Sequence, residues 1–252
     1  MYYVLYMFGH VNEVIDFYKT NENKHFHLYS EFEKNAMKDP VLLDSFNSIS
    51  GFGEIPFIWH WKLLVDQCPS DFTFLEIGVY RGRVLSQVGH LAMRANKKAN
   101  LYGITPLSNE GDKYSNYETI DYLQEITKNF IKLNGNDTNL NIIKGYSQDP
   151  MIIQKASEQG PYNIIFIDGC HDYDAVMLDL NHYSNMVVPG GYLVMDDASL
   201  YLDDPYGKFL GHPDVSKAAK DVMDNNDDFT HIYAIGHNRV WQRNPSKVII
   251  QY

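Results

Sequence analysis

The sequence predicts an α/β protein with a doubly wound, mostly parallel seven-stranded sheet of the Rossmann-like type and a helical extension before it. From about residue 71 onward, short apolar runs alternate with segments whose apolar residues recur at helical spacing. Before that point the patterns are helical. We therefore expect an N-terminal extension or cap over residues 1–70 and an α/β domain over residues 71–252.

The extension is predicted to contain two helical segments. Tyr29 to Ser45 has a mixed pattern compatible with a helix, and Gly51-Phe-Gly53 then breaks the chain. Ile55 to Cys68 carries apolar residues at helical spacing, with Pro56 near its start, where proline is tolerated.

The second part of the chain is predicted to alternate strands and helices. The strands, in chain order, are Phe72–Ile77, Leu101–Ile104, Leu140–Lys144, Asn163–Ile167, Gly191–Met195, His231–Ala234 and Arg239–Gln242. The helices are Gly82–Ala95, Tyr117–Leu133, Pro150–Gln159, Asp172–Met186 and Val215–Asn225. Ligands of such sheets bind outside the carboxyl ends of the strands.

Composition argues against two classes of partner. The chain has 32 acidic and 21 basic residues, a net charge of −11, so its surface would repel nucleic acid. No apolar run approaches the roughly 20 residues of a membrane-spanning helix, so no membrane partner is expected. A neutral or cationic small molecule, or one bound through a metal, is the expected ligand.

Cysteine usage and the first residues predict a cytoplasmic protein. The two cysteines, Cys68 and Cys170, fit a reducing compartment better than a disulfide framework. Met1 to Val11 is apolar but has no basic region before it and is soon followed by acidic residues, so a signal peptide is not expected. The aromatic segment Met1 to Tyr18 could pack against a second copy and form a homo-oligomer.

Acidic residues directly follow two predicted neighbouring strands. Asp168 ends the run Tyr162 to Ile167, with His171 three residues later, and Asp196-Asp197 ends the run Gly190 to Met195. Three carboxylates that meet at one sheet edge repel one another unless a cation lies between them. Since hard divalent cations prefer oxygen ligands, we expect Asp168, Asp196 and Asp197 to form a metal site with His171 beside it.

Glycines follow the first predicted strand at a distinctive spacing. In Glu76-Ile-Gly78-Val-Tyr80-Arg-Gly82, Gly78 permits close approach of a ligand, and Gly82 opens a helix whose free N–H groups face the crevice. The spacing differs from the dinucleotide fingerprint G-x-G-x-x-G, which argues against NAD.

This glycine motif resembles that of the class I S-adenosylmethionine-dependent methyltransferases. The resemblance implies that Glu76, Gly78, Tyr80 and Gly82 hold the methionyl end of S-adenosylmethionine, with Asp168 nearby. The turn after the third strand, Gly145-Tyr-Ser-Gln-Asp149, is similar to the adenine-contacting turn of catechol-type O-methyltransferases and implies that role for Ser147 and Gln148. Alternatively, Ser147 is only the N-cap of the next helix.

The second strand departs from this family pattern. It ends in Thr105-Pro106, where these enzymes usually carry an acid that binds the ribose hydroxyls. Thr105 can form a hydrogen bond but not a charge-assisted bidentate one. Either Glu110 or Asp112 from the following loop replaces that acid, or the affinity for the cofactor is lower than usual.

The strand-end acids resemble those of metal-dependent O-methyltransferases. A histidine at the base position and an acidic pair are similar to the macrocin and mycinamicin sugar O-methyltransferases and their cephalosporin-biosynthesis relatives; lysine and an Asp-Asn pair are typical of the catechol group. The resemblance implies Mg²⁺ at Asp168, Asp196 and Asp197, with Asp168 and His171 as catalytic residues. His171 would accept a proton from one hydroxyl of a vicinal diol, most plausibly in a carbohydrate.

Other functions stay open at this point. The acceptor could be a catechol-like aromatic compound, or the chain could be a non-catalytic binding module with a methyltransferase fold. The resemblance to the cephalosporin relatives also leaves open a hydroxylase activity, although no iron triad of two histidines and one carboxylate is apparent.

The remaining candidate residues have structural interpretations. Cys170-His171-Asp172 is not expected to be a thiol catalytic triad, because consecutive residues point in different directions, and Cys170 is expected to be a packed free thiol. His60, between two tryptophans, is expected in the core. The loop Ser199 to Pro213, with candidate residues Tyr201, Asp203, Asp204, Tyr206 and His212, is expected to be a substrate lid.

Overall fold

One seven-stranded sheet organises the part of the chain that the computed structural model describes, residues 8–22, 24–202 and 209–245. Its strands are β1 (Asp71–Ile77), β2 (Lys98–Thr105), β3 (Leu140–Lys144), β4 (Tyr162–Ile167), β5 (Val187–Met195), β6 (Phe229–Ile235) and β7 (Asn238–Arg243). Their order is β3-β2-β1-β4-β5-β7-β6, and β7 runs antiparallel to its neighbours β5 and β6. The predicted doubly wound, mostly parallel sheet is thereby confirmed.

Helices cover both faces of this sheet. Within the described residues they are α1 (Val11–Thr20), α2 (Lys24–Lys38), α3 (Pro40–Ser48), α4 (Ile55–Gln67), α5 (Arg83–Arg94), α6 (Tyr122–Asn134), α7 (Pro150–Gln159), α8 (Tyr173–Tyr183) and α9 (Pro213–Val222), with a 3₁₀ turn at Ser184–Met186.

Several helix boundaries differ from the prediction, and at two of them an aspartate that caps a helix is the reason. The predicted segment Tyr29 to Ser45 is divided at Asp39-Pro40, where the Asp39 carboxylate accepts hydrogen bonds from the N–H groups of Val41 and Leu42. Helix α6 begins five residues later than predicted, since Asp121 caps it through the N–H of Gln124. Proline and aspartate therefore set boundaries that apolar spacing alone did not resolve.

Each face of the sheet has its own hydrophobic core. Alternate strand residues such as Phe74 and Phe166 point to the face covered by α1, α2, α4, α5 and α6, and Trp61 of α4 packs edge-on against both rings. The other face is covered by α7, α8 and α9. His60 is fully buried and contacts the Tyr233 hydroxyl at 3.0 Å, so the prediction that it packs in the core is confirmed. The division at residue 70 remains a proposal, because α1, α2 and α4 share one core with the sheet.

The segments expected to contact a second copy or the substrate lie partly outside the described residues. Residues 1–7 of the predicted oligomer segment are outside it, and the apolar residues of α1, including Val14 and Phe17, are buried within this chain. Of the predicted lid, Asp203, Asp204 and Tyr206 lie outside the described residues. In the described ranges, no helix has the length and apolar character needed to cross a membrane.

Backbone hydrogen bonds align the carboxyl ends of the central strands. The N–H of Asp168 donates to the carbonyl of Ile77 at 2.8 Å, and the N–H of Asp196 donates to that of Ile167 at 3.0 Å. Antiparallel β7 begins where β5 ends, since Met195 pairs with Arg239. The turn between β6 and β7 therefore lies at the same edge of the sheet as the strand-end acids.

Gly78 allows the ends of β1 and β4 to meet. It has φ +88°, and a Cβ atom there would lie 1.8 Å from the backbone oxygen of Asp168. Any side chain would force the two strand ends apart.

We expect Gly78→Ala to lower the free energy of unfolding by more than about 3 kcal/mol, because the contact is with backbone that cannot rotate away. Gly135→Ala is the matched control: Gly135 has φ +79° but open space around its Cβ position, so it should lose only about 1 kcal/mol. Equilibrium urea unfolding measures both variants. Equal losses would show that the backbone conformation, and not the contact with Asp168, makes Gly78 necessary.

Candidate active site

A cavity of about 740 Å³ lies along the carboxyl ends of the strands. This volume can hold a drug-sized ligand with most of its surface buried. The predicted site residues that line it are Gly78, Tyr80, Thr105, Ser147, Gln148, Asp168, His171, Asp196 and Asp197. Glu76 and Gly82 are not among the lining residues.

Glu76 and Gly82 support the wall of the cavity from behind. The Glu76 side chain is buried and accepts a hydrogen bond from the N–H of Leu85, in the first turn of α5. Burial raises the pKa of this carboxyl well above its usual value. Gly82, at φ +75°, lies close to Ile126 of α6. The structure thus places both residues where they fix the turn around Tyr80, and contact with a cofactor would fall to Gly78 and Tyr80.

The turn after β3 presents Ser147 and Gln148 to the cavity. The Gln148 amide donates to the Ser147 hydroxyl at 2.7 Å and to the carboxylate of Asp179 on α8 at 2.9 Å. Asp149, not Ser147, caps α7, because its carboxylate accepts from the N–H of Met151. The alternative that Ser147 is only a helix cap is therefore wrong.

Asp179 is a residue that the sequence pattern did not reveal. It lies in the middle of an amphipathic helix, is 1% exposed, and has one carboxylate oxygen without a hydrogen-bond partner. Burial raises its pKa to about 7. The sequence signal that could have identified Asp179 was its position, as a polar residue, among the buried positions of α8.

The loop after β2 gives its two acids different partners. Glu110 lines the cavity and accepts a hydrogen bond from the Tyr146 hydroxyl. Asp112 is instead bonded to His171, through the His171 N–H at 2.9 Å and Nδ1 at 2.6 Å. Thr105 accepts from the N–H of Leu107 at 3.3 Å. Of the two predicted replacements for a ribose-binding acid, Glu110 is the one whose carboxylate is not committed to His171.

The three strand-end acids lie at neighbouring strand ends, but among the described residues the group of potential metal-ligating atoms that includes Asp196 and Asp197 has His237, not Asp168, as its third member. The pairing of Ile167 with Met195 places Asp168 and Asp196, the next residues, side by side. Burial raises the pKa of Asp168 well above its usual value, and the nearby charges of Asp196 and Asp197 raise it further.

His171 is held between two carboxylates. Its Nδ1 faces Asp112 and its Nε2 lies 3.3 Å from the Asp197 carboxylate. Burial lowers its pKa, but the hydrogen bond with Asp197 and the charge of Asp112 outweigh this effect, so the net shift is upward. Nδ1 is therefore held by Asp112, while Nε2 is the ring nitrogen that faces the carboxylate of Asp197.

Two further histidines surround Asp197. His237, in the turn between β6 and β7, places Nδ1 2.9 Å from Asp196 and 3.0 Å from Asp197, while His212 places Nε2 3.4 Å from Asp197. Sequence reasoning missed His237, although an antiparallel strand beside β5 must begin at this edge. Potential metal-ligating atoms of His171, Asp197 and His212 lie within 4.8 Å of one another, so the statement that no set of two histidines and one carboxylate exists is wrong.

Burial disfavours the charged forms of Asp197 and His237, but the contacts between these two residues and their neighbours favour the charged forms more strongly. Hydrogen bonds from His171 and His237 lower the pKa of Asp197 below its usual value despite its burial. The pKa of His237 is raised well above normal by the charge of Asp196 and by hydrogen bonds to both aspartates.

Part of the wall of the cavity is aromatic. It includes Phe57 and Trp61 of α4 and Phe209, while Tyr114 stacks on His212 at 4.0 Å. Among the described residues, Arg83 is the only lysine or arginine that lines the cavity, and its guanidinium donates to the carbonyls of Phe46, Ile49 and Gly51.

Cys170 is exposed, which contradicts the expectation of a packed thiol, because the residue follows the strand end on a surface loop. Partial burial of its sulfur still raises the pKa of the thiol, which disfavours the thiolate needed for nucleophilic catalysis. Cys68 is buried, and neither cysteine forms a disulfide.

Comparison with known proteins relates the segment that carries this site to methyltransferases. Residues 75–198 match the family model described as a methyltransferase domain. An uncharacterized protein of Acanthamoeba polyphaga mimivirus is 36% identical over 155 residues, which cover 61% of this chain and 62% of that protein. The chain thus spans less than two thirds of this curated relative.

Two solved structures share the fold. The TDP-rhamnose 3′-O-methyltransferase of calicheamicin biosynthesis is 13% identical, with a TM-score of 0.53 over 86% of this chain and 93% of that one. The methyltransferase MycE of the mycinamycin pathway, in complex with Mg, S-adenosylhomocysteine and mycinamycin VI, is 16% identical, with a TM-score of 0.50 over 84% of this chain and 56% of that one. Residues 75–198 thus match a methyltransferase domain, and the chain shares its fold with these two methyltransferases.

Proposed function

We propose that this protein transfers a methyl group from S-adenosylmethionine to one hydroxyl of a vicinal-diol acceptor, with a divalent cation such as Mg²⁺ bound at the strand-end acids. The observation that carries the proposal is the row Asp112–His171–Asp197 in a cavity shared with the glycine turn. In this arrangement an oriented histidine and a group of acids lie in the same cavity, which is large enough for a cofactor.

The acidic centre fits a hard divalent cation. Asp168, Asp196 and Asp197 offer carboxylate oxygens. Burial first, and then the charges of Asp196 and Asp197, raise the pKa of Asp168, and a positive charge among them would relieve the repulsion. When bound, the cation would lower the pKa of a chelated hydroxyl.

His171 is the proposed general base. Asp112 fixes its Nδ1 side, and Nε2 would accept the hydroxyl proton from the acceptor once the Asp197 carboxylate, which contacts Nε2 here at 3.3 Å, binds the cation instead. The acceptor oxygen then forms the new bond to the methyl carbon as the carbon–sulfur bond of the sulfonium breaks. Asp112 serves to hold the imidazole in position and to stabilise its protonated form.

The proposed cofactor site follows the first three strands. Gly78 and Tyr80 would contact the methionyl end, Glu110 the ribose hydroxyls, and Ser147 with Gln148 the adenine. Thr105 lies between these groups and, with its hydroxyl engaged by Leu107, would contribute to the shape of the cavity rather than to ribose binding.

The proposed acceptor is a neutral or cationic sugar or glycosylated small molecule. Acids dominate the polar lining and Arg83 is committed to backbone carbonyls, so a phosphate group has no evident partner among the described residues. The aromatic wall suits the apolar face of a sugar ring. The similar fold of a TDP-rhamnose 3′-O-methyltransferase supports a sugar hydroxyl as acceptor, and a catechol is the alternative to be tested alongside it.

Transfer of a labelled methyl group from S-adenosylmethionine to a panel of glycosides and catechols tests the function. We expect turnover on a vicinal diol, loss of turnover with a chelator, and an about 10²- to 10⁴-fold lower kcat for His171→Ala with unchanged S-adenosylhomocysteine binding. Cys170→Ser is the matched control and should keep full activity. Absence of transfer to every acceptor, with cofactor bound, would favour the non-catalytic binding module.

The two loop acids are predicted to have separable effects. Glu110→Gln should weaken S-adenosylhomocysteine binding on the order of tenfold, because a charge-assisted hydrogen bond to the ribose is lost. Asp112→Asn should leave that affinity within about twofold but lower kcat, since it acts on His171. Calorimetry and steady-state kinetics on the same pair measure both effects. The reverse pattern would assign the ribose to Asp112.

The proposed adenine contacts depend on Asp179, whose charge should make stability pH-dependent. The pKa of Asp179 rises from 3.8 in the unfolded chain to about 7 in the fold, so its proton stabilises the fold fully at low pH and this contribution is lost as pH rises through 7. Asp179→Asn keeps an acceptor for Gln148 and does not titrate. Between pH 5 and pH 8 its unfolding free energy should therefore gain about 2–3 kcal/mol relative to wild type, measured by urea unfolding. A difference independent of pH would contradict this.

A further inference from the structure

The turn between β6 and β7 carries a potential metal ligand that the three strand-end acids do not include. His237 points Nδ1 at one carboxylate oxygen of Asp196 and one of Asp197, at 2.9 and 3.0 Å. The side chain is only 14% exposed. Its ring is packed against Phe57, at 4.9 Å between centroids, and against Phe209, at 5.4 Å.

These spacings suit three ligands of one cation. In an octahedral site with bonds of about 2.1 Å, adjacent donor atoms lie about 3 Å apart. The three atoms of His237, Asp196 and Asp197 form a triangle whose two known edges have that length. The ring packing against Phe57 and Phe209 holds the imidazole in this orientation, so little reorganisation would be needed on binding.

A second histidine group on Asp197 is less suited to the same task. His171 and His212 lie 3.3 and 3.4 Å from the other carboxylate oxygen of Asp197. Ligation through Nε2 of His171 would occupy the nitrogen that the proposed reaction uses as base. The group formed by His237 leaves His171 available.

We infer that His237 is a nitrogen ligand of the metal centre and that it shifts the preference of this centre from Mg²⁺ towards Mn²⁺ and related first-row cations. The inference rests on the metal site of the proposed function and deepens it. Mg²⁺ prefers oxygen ligands and retains its water, whereas imidazole binds Mn²⁺, Fe²⁺, Co²⁺ and Zn²⁺ increasingly well. The alternative role for His237 is that of an imidazolium counter-charge for the two aspartates in the absence of a cation.

Metal binding to the full chain distinguishes these roles without relying on turnover. We expect calorimetry to show Mn²⁺ binding at least about tenfold tighter than Mg²⁺, and pulsed electron paramagnetic resonance of the Mn²⁺ complex to show coupling to an imidazole ¹⁴N. His237→Phe keeps the ring packing but removes the nitrogen. It should abolish the ¹⁴N coupling and weaken Mn²⁺ about tenfold or more, while Mg²⁺ affinity changes less.

Two controls make the result specific. His182→Ala removes an exposed imidazole at the far end of α8 and should change neither affinity nor spectrum. His212→Phe tests the other histidine group: loss of the ¹⁴N signal in this variant, with the signal retained in His237→Phe, would overturn the inference. Circular dichroism checks that each variant is folded.

The remaining outcomes separate this inference from the function. A Mn²⁺ complex without ¹⁴N coupling, in a protein that transfers methyl groups with Mg²⁺, would refute the role of His237 and leave the proposed function standing. Failure of wild type to bind either cation would refute both the inference and the metal requirement. Methyl transfer insensitive to chelator would then identify a metal-independent enzyme.

Discussion

Asp197 is the point at which the separate segments of the site are tied together. Its backbone adopts φ 54°, a left-handed conformation that aspartate tolerates better than most residues. Its carbonyl accepts from the N–H of His212 and the hydroxyl of Ser216, and Gly211 packs so close that a Cβ there would lie 2.1 Å from it. Its carboxylate contacts the histidines from three different segments. The end of β5, the loop before α9, the β6–β7 turn and the proposed base are thus fixed by a single residue.

The N-terminal helices also support the segments around Asp197. Phe57 of α4 packs on the imidazole of His237, and Gly236 beside it is within contact distance of Phe57 and Tyr29. Arg83 joins the glycine turn to the chain around residues 46–51 through three carbonyl groups. Because one hydrophobic core runs from α1 and α2 to the sheet, these helices act as part of the wall of the cavity. We therefore expect a substitution in α4 to change both the geometry of the site and the free energy of unfolding.

The sequence was most informative where periodicity and strand order determine position. Apolar runs located every strand, and the carboxyl-end rule placed Asp168, Asp196 and Asp197 at one edge of the sheet. Hydrogen-bond partners that are joined by long loops could not be predicted from periodicity and strand order. Asp112 lies 59 residues from His171, and its contact with that ring depends on the path of the loop after β2. Asp179 was hidden for another reason, since a single buried acid in an amphipathic helix resembles a solvent-facing position. His237 required the direction of β7, which hydrophobic pattern does not specify.

The extent of the family match separates what is general in this protein from what is particular to it. The methyltransferase model ends at residue 198, so it includes the glycine turn, the Ser147–Gln148 pair, His171 and the three strand-end acids. His212 and His237 lie beyond that boundary, and Phe57 lies before it. The strand ends within this match thus carry the glycine turn and the acids, whereas His212, His237 and Phe57 come from segments packed onto the same edge. Since His212 and His237 contact the carboxylate of Asp197, we expect substitutions in these segments to alter the metal preference and the acceptor under the proposed function, while the strand that carries the glycine turn stays unchanged.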